Sequence, residues 1–285
     1  MKQFNTIDEI RAEVKSLKRQ RKKVGFVPTM GALHEGHLSL VREVREKSDA
    51  VIVSIYVNPT QFGPDEDLDK YPRELEEDMA KCEAEGVYGI FSPSDEVMYP
   101  PKRYLSITID ELADTMCGAS REGHFEGVLL VINKLFNIVQ PDVAAFGQKD
   151  IQQFVLIKRM VEEFDHDVEL VMGKIIRADD GLALSSRNVY LSEEERLVAP
   201  SLYRSLSYIR KQIEEREIDK PGLLVSHQRD ELEAKGFEID YFGVFDFNTL
   251  QPADSLKEGQ IYIIAIAAFL GSTRLIDNLL VGYKR

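Results

Sequence analysis

Residues 23–57, KVGFVPTMGALHEGHLSLVREVREKSDAVIVSIYV, decide the fold. The first six, 23–28, are a short and mostly apolar run that enters a glycine-containing loop. Across 38–47 the apolar residues fall at 38, 40, 41 and 44, close to helical spacing. Residues 50–57, AVIVSIYV, are almost wholly β-branched or apolar, as in a parallel strand buried on both faces. Strand, helix, strand in that order is a βαβ unit, which closes right-handed in nearly all folds.

The alternation continues outward from this unit. Helical spacing over 75–85, 128–138 and 151–164 is interleaved with strand-like runs at 89–92, 143–146 and 168–172. The pattern predicts an α/β fold: a doubly wound, Rossmann-like parallel sheet with ligands at the carboxyl ends of its strands. Upstream, residues 1–20 read as an amphipathic helix. Beyond 175 two helical stretches, 192–216 and 221–235, are followed by strand-like runs at 237–245 and 260–268. Helices followed by strands suggest a smaller α+β domain. The expected division is therefore 1–175 and 176–285.

Composition narrows the partners. The 285 residues carry a formal net charge of -13, which repels phosphate backbones and argues against nucleic acid as a partner. A single nucleotide needs only a local cationic pocket. Cys82 and Cys117 stand in no metal-ligand spacing, so a reduced cytoplasmic protein is expected. The amino terminus lacks the apolar core of a secretory signal, and the longest apolar run, 261–270, is too short to span a membrane.

The chemistry concentrates in Met30, Gly31, Ala32, Leu33, His34, Glu35, Gly36 and His37, where the first strand gives way to the first helix. Backbone N–H groups at a helix start point outward, and the helix dipole there favours anions. Gly31 and Gly36 would let a nucleotide approach the backbone. His34 and His37, three apart, share one face of the first turn and can donate hydrogen bonds to phosphate oxygens. Two blander readings stand beside this one: a metal pair, although the zinc helix motif needs i,i+4 spacing, and ordinary helix-surface histidines.

HxGH after a first strand resembles the nucleotidyltransferase superfamily that includes class I aminoacyl-tRNA synthetases. The wording PTMGALHEGHLSLV closely resembles the pantoate–β-alanine ligase (pantothenate synthetase) family within it. Five further segments stand in that family's order: YVNPTQF from Tyr56, YPR from Tyr71, REGHFEGV from Arg121, FGQKDIQQ from Phe146 and DGLALSSRN from Asp180. The resemblance covers about residues 20 to 190. It implies that ATP and pantoate form pantoyl adenylate and pyrophosphate, after which β-alanine attacks the acyl carbon and releases AMP. It also implies a homodimer.

The resemblance assigns residues as well. The 30–37 segment, Gly147, Gln148, Lys149, Asp150, Ile176, Leu184, Ser185, Ser186 and Arg187 are expected at ATP. Of these, His34, His37, Lys149, Ser185, Ser186 and Arg187 are expected to act in catalysis. Asn58, Gln61 and Gln153 are expected at pantoate or β-alanine, with Arg121 and His124 as second-rank candidates. Physically, a Gln offers both donor and acceptor to pantoate hydroxyls without burying a charge. A lysine after a strand end suits phosphates, and Asp150 either accepts from the ribose or caps a helix. Two hydroxyls and a guanidinium after a Gly loop suit a departing pyrophosphate, although Ser-Ser-Arg is ordinarily a surface turn.

Magnesium is expected with ATP, held mostly by phosphate oxygens and water. Asp78, in the acidic run 74–78, is its candidate protein ligand, a solvated helix face being the alternative. The chain departs from the usual family pattern at Gln148, where Glu is common, and at Leu184, where Met is common. Neither change removes a proposed catalytic group. The rival functions are a nucleotidylyltransferase acting on a phosphorylated acceptor and a noncatalytic nucleotide- or RNA-binding regulator. The smaller domain is expected to close over ATP.

Overall fold

A computed structural model of the protein describes residues 1–64 and 66–283, so the last two positions of the expected second domain lie outside it. The chain opens with strand β1 (Lys2–Phe4) and helix α1 (Ile7–Arg19), where a single amphipathic helix was expected. A Thr6/Glu9 capping box starts α1. There follow β2 (Val24–Thr29), α2 (Glu35–Arg45), β3 (Ala50–Ile55), α3 (Leu75–Ala84) and β4 (Gly89–Phe91). Two short helices, α4 (Asp95–Met98) and α5 (Met116–Ser120), precede the long α6 (His124–Val139). Next come β5 (Val143–Gly147), α7 (Ile151–Glu163) and β6 (Glu169–Gly173). The chain finishes with α8 (Glu193–Val198), α9 (Ser201–Arg216), α10 (Gly222–Glu233), β7 (Phe237–Asp246), β8 (Ile261–Leu270) and β9 (Thr273–Gly282).

Two compact units result. One comprises Met1–Ile109, Arg121–Gln148 and Leu156–Lys174; the other takes Asp110–Ser120, Lys149–Val155 and the chain from Ile175 onward. The second unit thus reaches back to claim two segments that lie before residue 175. Gln152 ties those segments together. Its amide donates to the carbonyls of Leu112 and Thr115 at 3.1 and 2.9 Å and accepts from the Gly118 N–H at 3.3 Å.

In the first unit six strands form one sheet in the order β1-β4-β3-β2-β5-β6, every pair parallel. This is the doubly wound arrangement that the βαβ pattern predicts. From β2 the chain moves by α2 to β3 on one side, whereas β5 joins β2 on the other. The switch point, where such sheets bind ligands, therefore lies at the carboxyl ends of β2 and β5. The loops that leave those ends begin at Met30 and Gln148.

In the second unit α9 and α10 supply apolar residues to a core shared with an antiparallel sheet in the order β7-β8-β9. The unbroken apolar run 261–270 is its central strand, buried nearly end to end. Among the described residues no helix is long and apolar enough to cross a membrane. The expected helix 192–216 is two helices. Pro200 has no N–H for the ladder and its ring would meet a carbonyl of the preceding turn, so α8 ends before it and α9 begins after it. Strand β9 is absent from the periodic reading because Arg274, Asp277 and Asn278 interrupt its apolar residues.

One close approach locks the first unit. A Cβ added at Gly127, in the first turns of α6, would stand 2.1 Å from the Thr60 carbonyl oxygen and 2.8 Å from the Gln61 Cα. Backbone on the far side cannot swing away as a side chain can. Gly to Ala inside a helix ordinarily stabilises by about 1 kcal/mol. Gly127→Ala should instead destabilise by about 1–3 kcal/mol in urea unfolding, since the added methyl overpacks the contact. A stabilised variant would contradict the close approach.

Candidate active site

The loop leaving β2 ends in a helix cap made of two histidines. His34 is the N-cap of α2, with extended φ, ψ of -130° and 176°. Its Nδ1 accepts from the Gly36 N–H at 3.1 Å, while the His37 Nδ1 accepts from the His34 N–H at 3.3 Å. This is a capping box with imidazoles where Ser and Glu usually stand. It has a chemical consequence. A backbone N–H can only donate, so both Nδ1 atoms must be unprotonated; this assigns the tautomer from the bonding geometry. In the neutral form each ring then carries its proton on Nε2. The rings lie 4.2 Å apart at a 41° tilt. Both are therefore set as Nε2–H donors at an anion-favouring helix start beside the switch point.

Glycine serves this cap in a way the sequence did not indicate. A Cβ at Gly36 would stand 2.8 Å from the His34 Cε1, so Gly36 makes room for the ring. Gly31 has φ +85°, and Ala32 follows it in the left-handed region at +50°. That left-handed pair is held from α3. Asp78 accepts the Ala32 N–H at 2.9 Å and the Leu33 N–H at 2.7 Å, and Lys81 donates to the Leu33 carbonyl at 2.8 Å.

Asp78 is 1% exposed, and burial pushes its carboxyl up against the pull of the two N–H donors. Asp78, expected as the magnesium ligand, is therefore not the solvated helix face that was the alternative: it is a buried loop anchor whose two oxygens each accept a backbone N–H. Among the described residues no group of three or more His, Cys, Asp or Glu is arranged to hold a metal. Glu35, expected at ATP, is exposed and paired with Arg42, which also grips Glu85.

Beyond β3 several of the candidates are bonded to one another. Gln61 ends the 3-10 turn Pro59–Gln61, with its Nε2 3.0 Å from the Met30 Sδ. Its Oε1 accepts from the Asn58 Nδ2 at 3.0 Å. Asn58 is 1% exposed, donates also to the Gly127 carbonyl, and accepts from Tyr99 OH and Thr60. Both ends of its amide are bonded within the protein, and through Nδ2 it orients Gln61.

Arg121 and His124 are likewise bonded to protein neighbours. His124 Nδ1 donates to the Gln61 carbonyl at 2.7 Å, which leaves Nε2 to accept from Arg121 at 2.9 Å. Arg121 in turn forks onto Glu66, Nε–Oε1 2.7 Å and Nη2–Oε2 2.6 Å. Glu66 and Lys81 escaped the sequence reading because each sits in a charged run that reads as solvated surface. Partial burial raises the Glu66 carboxyl, but Arg121 more than offsets this and its pKa lies below the ordinary value.

Gln148–Asp150 form a 3-10 turn directly after β5, and Gln153 is half-buried near the start of α7. Leu184 donates its N–H to the Ile176 carbonyl at 2.9 Å, closing a hairpin across Gly181. Ser185 follows, accepting the Arg187 N–H at 3.3 Å and so capping the turn Ser186–Tyr190. An accepting hydroxyl keeps its own O–H to donate. Glycine recurs here too: Gly181 has φ +96°.

Two outcomes check these supports. Asp78→Asn keeps one good acceptor and turns donors against the second backbone N–H. It should cost about 1–3 kcal/mol in urea unfolding, and excess magnesium should not restore turnover. Rescue by magnesium would show Asp78 to be a metal ligand. The Glu66–Arg121 pair contributes stability above the ordinary carboxylate pKa and loses it as pH falls through the lower folded value. The stability gap between the wild type and Glu66→Gln should therefore hold steady between about pH 6 and 8 and shrink in acid. A gap that widens in acid would contradict the pairing.

Residues 2–280 match the family model of pantoate-beta-alanine ligase. The chain is 48% identical over 281 residues to the pantothenate synthetase of Pseudomonas fluorescens (strain Pf0-1), covering 98% of this chain and 97% of that one. It is 49% identical over 278 residues to that of Caldicellulosiruptor bescii, covering 98% of each. The solved pantothenate synthetase of Thermus thermophilus superposes with a TM-score of 0.90 at 41% identity, over 98% of this chain and 99% of that one. The pantoate-beta-alanine ligase of Francisella tularensis, solved with beta-gamma ATP and beta-alanine, gives 0.83 at 33% identity, over 98% and 97%. With a shared fold and near-complete coverage, the chain belongs to the pantoate–β-alanine ligase family.

Proposed function

We propose that this protein condenses pantoate with β-alanine at the expense of ATP, through an enzyme-bound pantoyl adenylate. The observation that carries the reading is the pair of Nε2–H donors fixed by the His34–His37 cap at the switch point. In the first step an oxygen of the pantoate carboxylate bonds to the α-phosphorus as the bond to the pyrophosphate oxygen breaks. The carboxylate is ionised near neutrality and needs no general base. His34 and His37 donate to the α-phosphate oxygens as charge builds on them. Lys149, Ser185, Ser186 and Arg187 steady the departing pyrophosphate, and Gln61 and Gln153 bind the pantoate hydroxyls.

In the second step the neutral amine of β-alanine bonds to the acyl carbon. The acyl–oxygen bond to AMP breaks, and the amine's surplus proton leaves to solvent. Magnesium enters as part of the ATP complex, bound through phosphate oxygens and water; the engagement of Asp78 with Ala32 and Leu33 favours this over a carboxylate cage. The reading includes a homodimer and a cytoplasmic location. The latter is supported by Cys82 and Cys117, which are free and buried thiols.

The test is AMP release with ATP and magnesium, adding pantoate and β-alanine singly and together. AMP should accumulate with both acids present, in step with pantothenate. Turnover without pantoate, or a nucleotide retained on the product, would contradict the reading. His37→Gln keeps a capping side chain but removes the distal donor. It should fold normally yet lose roughly 100- to 1,000-fold in turnover. Wild-type rate in a folded His37→Gln protein would remove His37 from the mechanism.

A further inference from the structure

Two polar residues buried side by side on β9 take no part in the chemistry proposed above. Asp277 is 4% exposed and Asn278 1%, in a strand whose Leu275, Leu279 and Val281 are core. A carboxylate and an amide in such a place are costly unless bonded. Their partners lie on the two segments assigned to ATP phosphates.

Asp277 receives both prongs of Arg177, Nη1–Oδ2 at 2.6 Å and Nη2–Oδ1 at 2.8 Å. Arg177 Nη1 also donates to the Gly181 carbonyl at 3.0 Å, and the guanidinium stacks 3.8 Å over the Tyr203 ring. A Cβ at Gly181 would strike that same ring at 2.5 Å, so hairpin, guanidinium and ring are packed together. Arg177 bridges to Ala183, two residues before Ser185. On the other side, the Asn278 Nδ2 donates to the Lys149 carbonyl at 3.0 Å. The two anchors are joined, because the Asn278 N–H donates to the Asp277 Oδ1 at 2.7 Å. Burial pushes the Asp277 carboxyl up, and Arg177, the Asn278 N–H and the Lys149 charge pull it back.

We propose that Asp277 and Asn278 are positioning residues for ATP: from adjacent places on one strand they fix the Lys149 turn and the base of the Ser185 loop in mutual register. The inference rests on the assignment of Lys149 and the Ser185 loop to ATP phosphates. It explains why a core strand carries a charged–amide pair in place of two apolar residues. Rigid backing of this kind lets phosphate ligands meet ATP without first being ordered.

The experiment compares Asn278→Ala, Asn278→Asp and Lys149→Ala with wild type. The readouts are KM for ATP, KM for pantoate, pyrophosphate–ATP exchange in the presence of pantoate, and hydrogen exchange across 147–152 and 178–186. Asn278→Asp keeps the shape but sets an acceptor against the Lys149 carbonyl, so it serves should the alanine variant fail to fold. The expected result is a rise of about five- to tenfold in KM for ATP, the loss of about one hydrogen bond, with KM for pantoate nearly unchanged. Exchange should be faster in both segments. An unchanged KM for ATP in the Asn278 variants alongside a raised one in Lys149→Ala would overturn the clamp alone. If Lys149→Ala also leaves KM for ATP unchanged, the ATP assignment falls and the clamp with it. Equal loss in every parameter would show a merely structural role and overturn the proposal.

Discussion

Two backbone N–H groups bonded to imidazole Nδ1 atoms are the constraint on which the rest of the first unit depends. Each such cap is worth only about 1 kcal/mol, little against the stability of the whole chain. Its effect on chemistry is larger than its effect on stability. By consuming Nδ1 it decides which nitrogen of His34 and of His37 holds a proton, and so turns two amphoteric rings into two donors. Everything near the cap keeps that geometry: Gly36 leaves space for a ring, and Asp78 and Lys81 hold Leu33 by its N–H and its carbonyl.

The same logic recurs at a distance from the reacting atoms. Gln61 is aimed by Asn58 through its side chain and by His124 through its backbone, with Arg121 and Glu66 behind His124. In the second unit Asp277 and Asn278 stand behind Arg177 and Lys149. Several residues expected near substrate, Asn58, Arg121 and His124 among them, thus bond their polar atoms to protein. Buried polar networks of this sort are favourable when every member is bonded, and each one here reaches a presenting residue.

Much of the fold was legible because it rests on periodicity. The β-branched runs at 24–29 and 50–55 and the spacing of Leu40, Val41 and Val44 admit few arrangements other than a βαβ unit. The third antiparallel strand was not legible. Its polar residues serve the site and so disrupt the apolar pattern that marks a core strand. The helix break at Pro200 was readable in principle, since the residue type alone forbids the ladder there. For the site, motif spacing conveyed which residue types gather near the loop after β2. It carried no information on where each polar atom points, so the bonds that Asn58, Arg121, His124 and Asp78 make to protein neighbours could not be read from it. Glu66 and Lys81 act through contacts 55 and 48 residues away in the chain, beyond the reach of any local pattern.

The most direct test of the histidine cap is nitrogen-15 NMR of the His34 and His37 rings, assigned by single-residue variants and read at a pH where both are neutral. The cap requires an acceptor-type Nδ1 and a protonated Nε2 on both rings, with backbone N–H couplings to Nδ1. A protonated Nδ1 on either ring would contradict the cap, and with it the claim that this helix start presents two fixed donors to a phosphate.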